Sequence, residues 1–159
     1  MDTSADASLV VDFLNTLDIE EGTDVLTEPA LWQAWAVERG LRPDPEQDAR
    51  SVRDALRAAV GDPRLPGVDT EAPVRIALTL DGPVLIADDV VGAVLSAAAR
   101  LAVLDEWRRV KICPADDCLW AFFDHSRNRS RTWCSMRACG NREKARAWRD
   151  RRASPVDHH

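Results

Sequence analysis

Residues 113–142 read CPADDCLWAFFDHSRNRSRTWCSMRACGNR, and they hold all four cysteines of the 159-residue chain. The spacing is CxxxxC–x15–CxxxxC: Cys113 and Cys118 form one pair, Cys134 and Cys139 the other. Two short-spaced pairs divided by a mid-length insert suit a tetrahedral Zn2+, which takes four thiolates at about 2.3 Å from two tight turns. Two disulfides are the alternative, and they belong to an oxidising compartment. The first ten residues, MDTSADASLV, are acidic and lack the basic n-region of a secretory signal. No run approaches the roughly 18 apolar residues that cross a bilayer. The expectation is a cytoplasmic protein with no membrane partner, whose thiols stay reduced and take up metal.

The residues around the cysteines arrange themselves in a recognisable order. Pro114 and the polar turn Ala115-Asp116-Asp117 close the first pair. Leu119–Asp124 reads as a strand, His125–Ser130 as a loop and Arg131–Cys134 as a returning strand. Cys139 then leads through Gly140-Asn141 into a helix running to about Arg152. Knuckle, hairpin, then helix is the order of a treble-clef finger. The helix N-terminus would stabilise the negative thiolates. About 45 residues build little core, so the metal supplies most of the folding free energy, about 10–16 kcal/mol in small zinc peptides. His125 breaks the symmetric four-sulfur set and is assigned to the loop. Trp120, Phe122, Phe123 and Trp133 are expected to pack around the metal, the alternative being stacking on unpaired bases.

Charge divides the chain at the same place. Residues 107–152 carry 13 Lys/Arg against 5 Asp/Glu, a balance of +8, whereas residues 1–106 carry 8 against 21, a balance of −13. A net charge of −6 therefore conceals a polyanion-binding end on a body that repels polyanions. On the last helix Arg142, Arg146 and Arg149 share a stripe at i, i+4, i+7, with Ala145 and Trp148 on a neighbouring inward seam. Arg127, Arg129 and Arg131 line the hairpin loop; Arg137 and Lys144 complete the cationic set. Guanidinium groups suit phosphates and can also read guanine edges. DNA is the expected partner. RNA, or an acidic protein surface gripped by an adaptor finger, are the alternatives, and the acidic surface includes the chain's own body.

The fold class expected is α+β: a mostly helical N-terminal part with one β-hairpin, then the small four-cysteine finger. Helices are predicted over 8–17, 29–38, 45–60 and 88–109. In the third, Arg50, Arg53, Asp54 and Arg57 are placed mostly outside. The alternation Val74, Ile76, Leu78, Leu80, followed by Asp81-Gly82 and Val84–Ala87, predicts the hairpin. The expected division is an acidic domain over 1–109, the finger over 110–153 and a disordered tail over 154–159.

The stretch ending in Cys139-Gly140-Asn141-Arg142 resembles the CGNR zinc finger. The N-terminal VVDFLNTLD resembles the opening of the ABATE domain that precedes this finger in bacterial proteins. The resemblance implies one structural Zn2+ on Cys113, Cys118, Cys134 and Cys139, and a role as a stress-related transcription regulator. Its acidic domain would then act as a sensor or a homodimerisation platform. Asp12, Asn15 and Thr16 cluster on the first helix and read either as the wall of a small-molecule effector pocket or as a polar helix face. No nucleophile–base arrangement accompanies them, and four sulfurs leave a metal no open position for water. The chain is not expected to be an enzyme.

Overall fold

The computed structural model describes residues 3–153, apart from the side chains of Asp150 and Ala153. The tail expected over 154–159 lies outside the described residues. The architecture is α+β, as expected. Its elements run α1 Thr3–Leu14, β1 Leu17–Asp18, β2 Thr23–Asp24, α2 Pro29–Glu38, α3 Glu46–Ala59, β3 Arg75–Thr79, β4 Gly82–Ile86, α4 Val90–Val103, β5 Val110–Ile112, β6 Ala121–Phe123 and α5 Asn141–Ala153. Three two-stranded antiparallel ribbons, β1-β2, β3-β4 and β5-β6, lie among the helices.

Helix α1 is the centre of the main core. Its Val10, Phe13 and Leu14 are fully buried, against Val90, Val94, Ala97 and Leu101 of α4 and Trp32 and Ala36 of α2. Trp32 stacks on Trp35 at 5.5 Å, and both rings meet Phe13. The same core continues into the C-terminal region, taking in Val110, Ile112, Leu119 and Ala121. A smaller cluster of Cys113, Ala115, Cys118, Phe122 and Cys139 sits beside it. Among the described residues no helix is long and apolar enough to cross a membrane.

Element ends depart from the sequence reading for local reasons. Helix α1 stops at Leu14 rather than residue 17 because the Thr16 hydroxyl donates to the Phe13 carbonyl and the Asn15 side chain is engaged elsewhere. Helix α4 starts where Asp89 accepts from the Gly92 amide, and it ends before Asp105, at φ 58°. A Cβ at Gly92 would come within 2.8 Å of that capping carboxylate. The returning strand expected over 131–134 is not formed. Strand β6 pairs with β5 instead, with Val110 opposite Phe123 and Ile112 opposite Ala121.

Lys111 and Asp124 explain that change. Buried Asp124 accepts from Lys111 Nζ at 2.7 Å, from the Ser126 amide at 2.8 Å and from the Arg131 amide at 2.9 Å. Lys111 Nζ also donates to the Arg129 and Arg131 carbonyls. The backbone groups that would have formed a ladder are thus taken by two side chains. The chain is left free to bend Cys134 into the cluster. These donors, Lys111 first, outweigh burial and hold the Asp124 carboxyl well below the usual carboxylate range.

Candidate metal centre and nucleic-acid interface

Cys113, Cys118 and Cys139 are placed by local backbone turns. The Cys113 amide donates to the Trp120 carbonyl at 2.9 Å as β5 ends, and the amides of Cys118 and Leu119 both donate to Ala115. That closes the first knuckle. Cys139 sits in a wide helical turn, Met136–Gly140, capped by Ser135, whose hydroxyl accepts from the Ala138 amide. Gly140 fits here because a Cβ would press within 3.2 Å of the Trp133 ring and closer still to Met136.

The four sulfurs all lie within 4.8 Å of one another. Cys118 to Cys134 is 3.5 Å and Cys134 to Cys139 is 3.6 Å. A disulfide would bring sulfurs to about 2.05 Å. A tetrahedron with metal–sulfur bonds of about 2.3 Å has edges of about 3.8 Å. The geometry and the donor chemistry therefore fit one structural Zn2+, with Cys113, Cys118, Cys134 and Cys139 as its ligands.

Without the metal's charge this cage resists ionisation. Burial pushes the Cys118 thiol up to about 11, and burial together with the Cys118 and Cys139 sulfurs pushes Cys134 up as well. Cys113 is buried too, yet the backbone donors of Cys134 and Ala115 bring its thiol down. One thiolate is favoured and its neighbours are penalised, so full ionisation accompanies metal uptake.

The aromatic residues divide. Phe122 is buried in the cysteine cluster and Trp133 packs against it, as expected. Phe123 joins the main core, while Trp120 stays exposed at the surface. His125 is exposed, with its ring edge-on to Phe123.

The eight cations differ in their partners. Arg142 turns inward: its guanidinium reaches Asp117 at 3.0 Å, Glu20 at 3.4 Å and the Cys139 sulfur at 3.6 Å. It thus orients and neutralises the cage. Arg146 pairs with Glu143 and lies 3.9 Å from Asp117. Arg129 pairs with Asp105 and approaches Glu106. Arg131 donates to the Trp133 and Cys134 carbonyls and lies over the Phe122 ring. Arg127, Arg137, Lys144 and Arg149 are exposed, and among the described residues none of them has an ion-pair partner.

The seam expected on α5 is absent. Ala145 is exposed and Trp148 is 52% exposed, covered in part by Arg152. No described residue of α5 is buried. The reason is that the finger's core is already filled by Phe122 and the sulfurs, so α5 projects from it, tethered at its metal-proximal end.

Asp12, Asn15 and Thr16 point three different ways. Exposed Asp12 pairs with Arg39 at 3.2 Å. The Asn15 amide donates to the Ala121 carbonyl at 2.9 Å and its oxygen accepts from the Ala121 amide at 2.8 Å, standing in for a strand beside β6. Thr16 is buried, with its oxygen 3.3 Å from an Arg53 donor.

Two arginines that the sequence reading puts mostly outside are buried: Arg53 is 1% and Arg57 0% exposed. Arg53 forks onto Asp24 at 2.6 and 2.9 Å. Arg57 sends Nε to Asp62, Nη1 to the Leu14 carbonyl and Nη2 to the Leu119 carbonyl, all within 2.9 Å. Burial lowers the Arg57 guanidinium despite Asp62, yet an arginine stays charged at neutral pH. The available signal was position: 49, 52, 53, 56, 57 and 60 make one helical stripe, and both arginines sit inside it.

Comparison with known families agrees with this geometry. The CGNR zinc finger model matches residues 109–152. The ABATE model, described as "putative stress-induced transcription regulator", matches residues 7–121. The two ranges overlap over β5, the first knuckle and the start of β6, the segment shared between the two cores. No curated protein matches the chain.

Proposed function

The chain belongs to the ABATE family and carries a CGNR zinc finger, and from this we propose that it is a cytoplasmic, DNA-binding transcription regulator. In this reading residues 110–153 contact DNA and residues 1–109 regulate that contact. The observation that carries the proposal is α5. It is a 13-residue helix with no buried residue among those described, bearing Arg142, Lys144, Arg146, Arg149, Arg151 and Arg152. A helix with no packed face lacks the burial that stabilises helices in water. A phosphate backbone supplies the missing partner, contacted by Arg127, Arg137, Lys144 and Arg149, which have no ion-pair partner among the described residues.

The division of labour differs from the sequence expectation. Arg142 and Arg146 serve the cage and its knuckle, so the phosphate contacts fall to the unpaired set. Those contacts give affinity and register rather than sequence choice. The metal is structural: four sulfurs close its shell, and no catalytic role is assigned to the chain.

The test is titration of a duplex pool with zinc-loaded protein at rising salt. The logarithm of affinity should fall linearly with the logarithm of salt, with a slope of about −0.9 per phosphate contact. Changing Arg137, Lys144 and Arg149 together to Ala should flatten that slope by up to about 3 units. An unchanged slope refutes the proposal. A single-stranded RNA competitor that binds more tightly than the duplex would favour the RNA reading. The self-masking reading is supported by ion pairs from the finger to the acidic part, Arg142 with Glu20 and Arg129 with Asp105. It predicts that Glu20→Gln tightens DNA binding.

A further inference from the structure

The β3-β4 ribbon meets the body through β4, which lies against α4. Alternation along β3 puts Ile76 and Leu78 on one face, and the register sets Leu85 and Pro83 opposite them. That face should be core, yet Ile76 is 73% and Leu78 85% exposed, and Leu80 beyond them is fully exposed. Beside it a notch of about 150 Å3 opens between Leu85 and the C-terminal turns of α4, lined by Ala99, Arg100, Val103 and Leu104. Val103 and Leu104 are exposed as well.

Ile76, Leu78, Leu80, Val103 and Leu104 all leave large apolar side chains bare, and apolar side chains exposed together mark interaction sites. A lone two-stranded ribbon is itself marginal in water and gains stability from further strands.

Two observations select the occupant. The first is charge. The body carries 8 Lys/Arg against 21 Asp/Glu over residues 1–106, so two copies repel one another across most of its surface. Residues 76–87 carry a single charge, Asp81, making this the stretch where like bodies can approach. The second is the edge. Strand β4 contains Pro83, which removes a backbone donor, as is common where an edge is kept from pairing. From Ile76 to Thr79, β3 has neither Pro nor a charge, and its outer edge is unpaired among the described residues.

We propose that the chain forms a symmetric homodimer in which β3 pairs antiparallel with β3 of a second copy. The two ribbons then make one four-stranded sheet, and each copy presents Leu78 and Leu80 to the other's notch. Such an interface is isologous: the same residues face each other across a two-fold axis. It would also place two fingers at a fixed separation.

The test is sedimentation equilibrium of the zinc-loaded full chain, without nucleic acid, from about 1 to 100 µM, where mass action reveals reversible association. The expected mass is twice the 17.7 kDa of the chain. Leu78→Glu should weaken association at least ~100-fold, because like charges would meet at the dyad. Its far-UV spectrum and zinc content should match the parent, since Leu78 is exposed. Mixing Leu78→Glu with Leu78→Lys should restore the dimer, which a non-symmetric contact would not do. A monomer throughout the range, open-ended association, or a Leu78→Glu protein that still dimerises overturns the proposal. Because DNA is absent, that result leaves the DNA-binding reading to stand or fall separately.

Discussion

Helices α3 and α5 carry nearly the same device and use it in opposite ways. Each bears a stripe of three arginines, Arg50, Arg53 and Arg57 on one, Arg142, Arg146 and Arg149 on the other. On α3 the inner two are sealed in the core, where every arm of Arg57 finds an acceptor. On α5 the stripe runs from the metal cage out to solvent. What separates them is the supply of acceptors. Around α3, chain ends and turns leave carbonyls of Leu14 and Leu119 and carboxylates of Asp24 and Asp62 needing donors. Around α5 the acceptors among the described residues, Asp117, Glu20 and Glu143, serve its first two turns. An arginine stripe is therefore a structural bolt or a free cationic edge according to what the rest of the chain leaves unsatisfied.

The largest effect should come from removing the metal. The anchored end of α5 depends on Cys139, so chelation or Cys139→Ser should melt α5 while most α3 helicity persists. Metal sites of this type contribute on the order of 10 kcal/mol. Circular dichroism should show a partial loss of helix, and limited proteolysis should cut first after residues 137–152. Full retention of the C-terminal segment would break the comparison, because α5 would then have a support of its own.

Next is Arg57→Ala, which strands the Leu14 and Leu119 carbonyls in the interior and leaves Asp62 to Arg64 alone. Breaking a buried pair this way costs about 3–5 kcal/mol, read as a shift in the urea midpoint at constant slope. Arg57→Lys should recover little, since one ammonium cannot reach three diverging acceptors. On α5, Arg149→Ala should change stability by less than about 0.5 kcal/mol while weakening DNA binding. If the two substitutions cost the same, the distinction between the helices collapses.

Acid should act through the same bolts. Burial alone would raise Asp24 and Asp62, but Arg53 at one and Arg64 with Arg57 at the other bring both below the ordinary 3.8. A carboxyl whose folded value is depressed contributes stability above its unfolded value and loses it as pH falls through the folded one. Their contribution should therefore be intact at neutral pH and disappear below about pH 4, followed by the urea midpoint. A midpoint that stays flat down to pH 3 would mean that these pairs hold nothing. A small effect is expected at the solvent end too: Arg152→Ala removes a cation–π contact with Trp148 worth about 0.5–1 kcal/mol at most at an exposed site.

Much of the finger was legible because metal chemistry writes itself into spacing. Four soft donors in two short turns allow few other uses, and the Cys139-Gly140-Asn141-Arg142 tetrad fixed the helix that follows. Composition could not show that Lys111 and Asp124 replace a returning strand, since both are ordinary surface residues by type. Helix boundaries moved where side chains such as Thr16 and Asp89 competed for backbone groups. The buried arginines were misplaced because polarity outweighed position. Arg53 and Arg57 occupy the stripe of Ala49, Val52 and Leu56, and only the fold reveals the acceptors waiting there. The scattered directions of Asp12, Asn15 and Thr16 were equally hidden, because neighbours one turn apart share a side only while the helix lasts.

Leu119 follows a zinc ligand directly, at φ 49°, and its carbonyl is one of those that Arg57 grips. Metal affinity and the integrity of the acidic half are thus written into a single peptide unit, and thermodynamic reciprocity applies to them. Any molecule that tightens the acidic half around Arg57 raises zinc affinity by some factor, and zinc raises that molecule's affinity by the same factor.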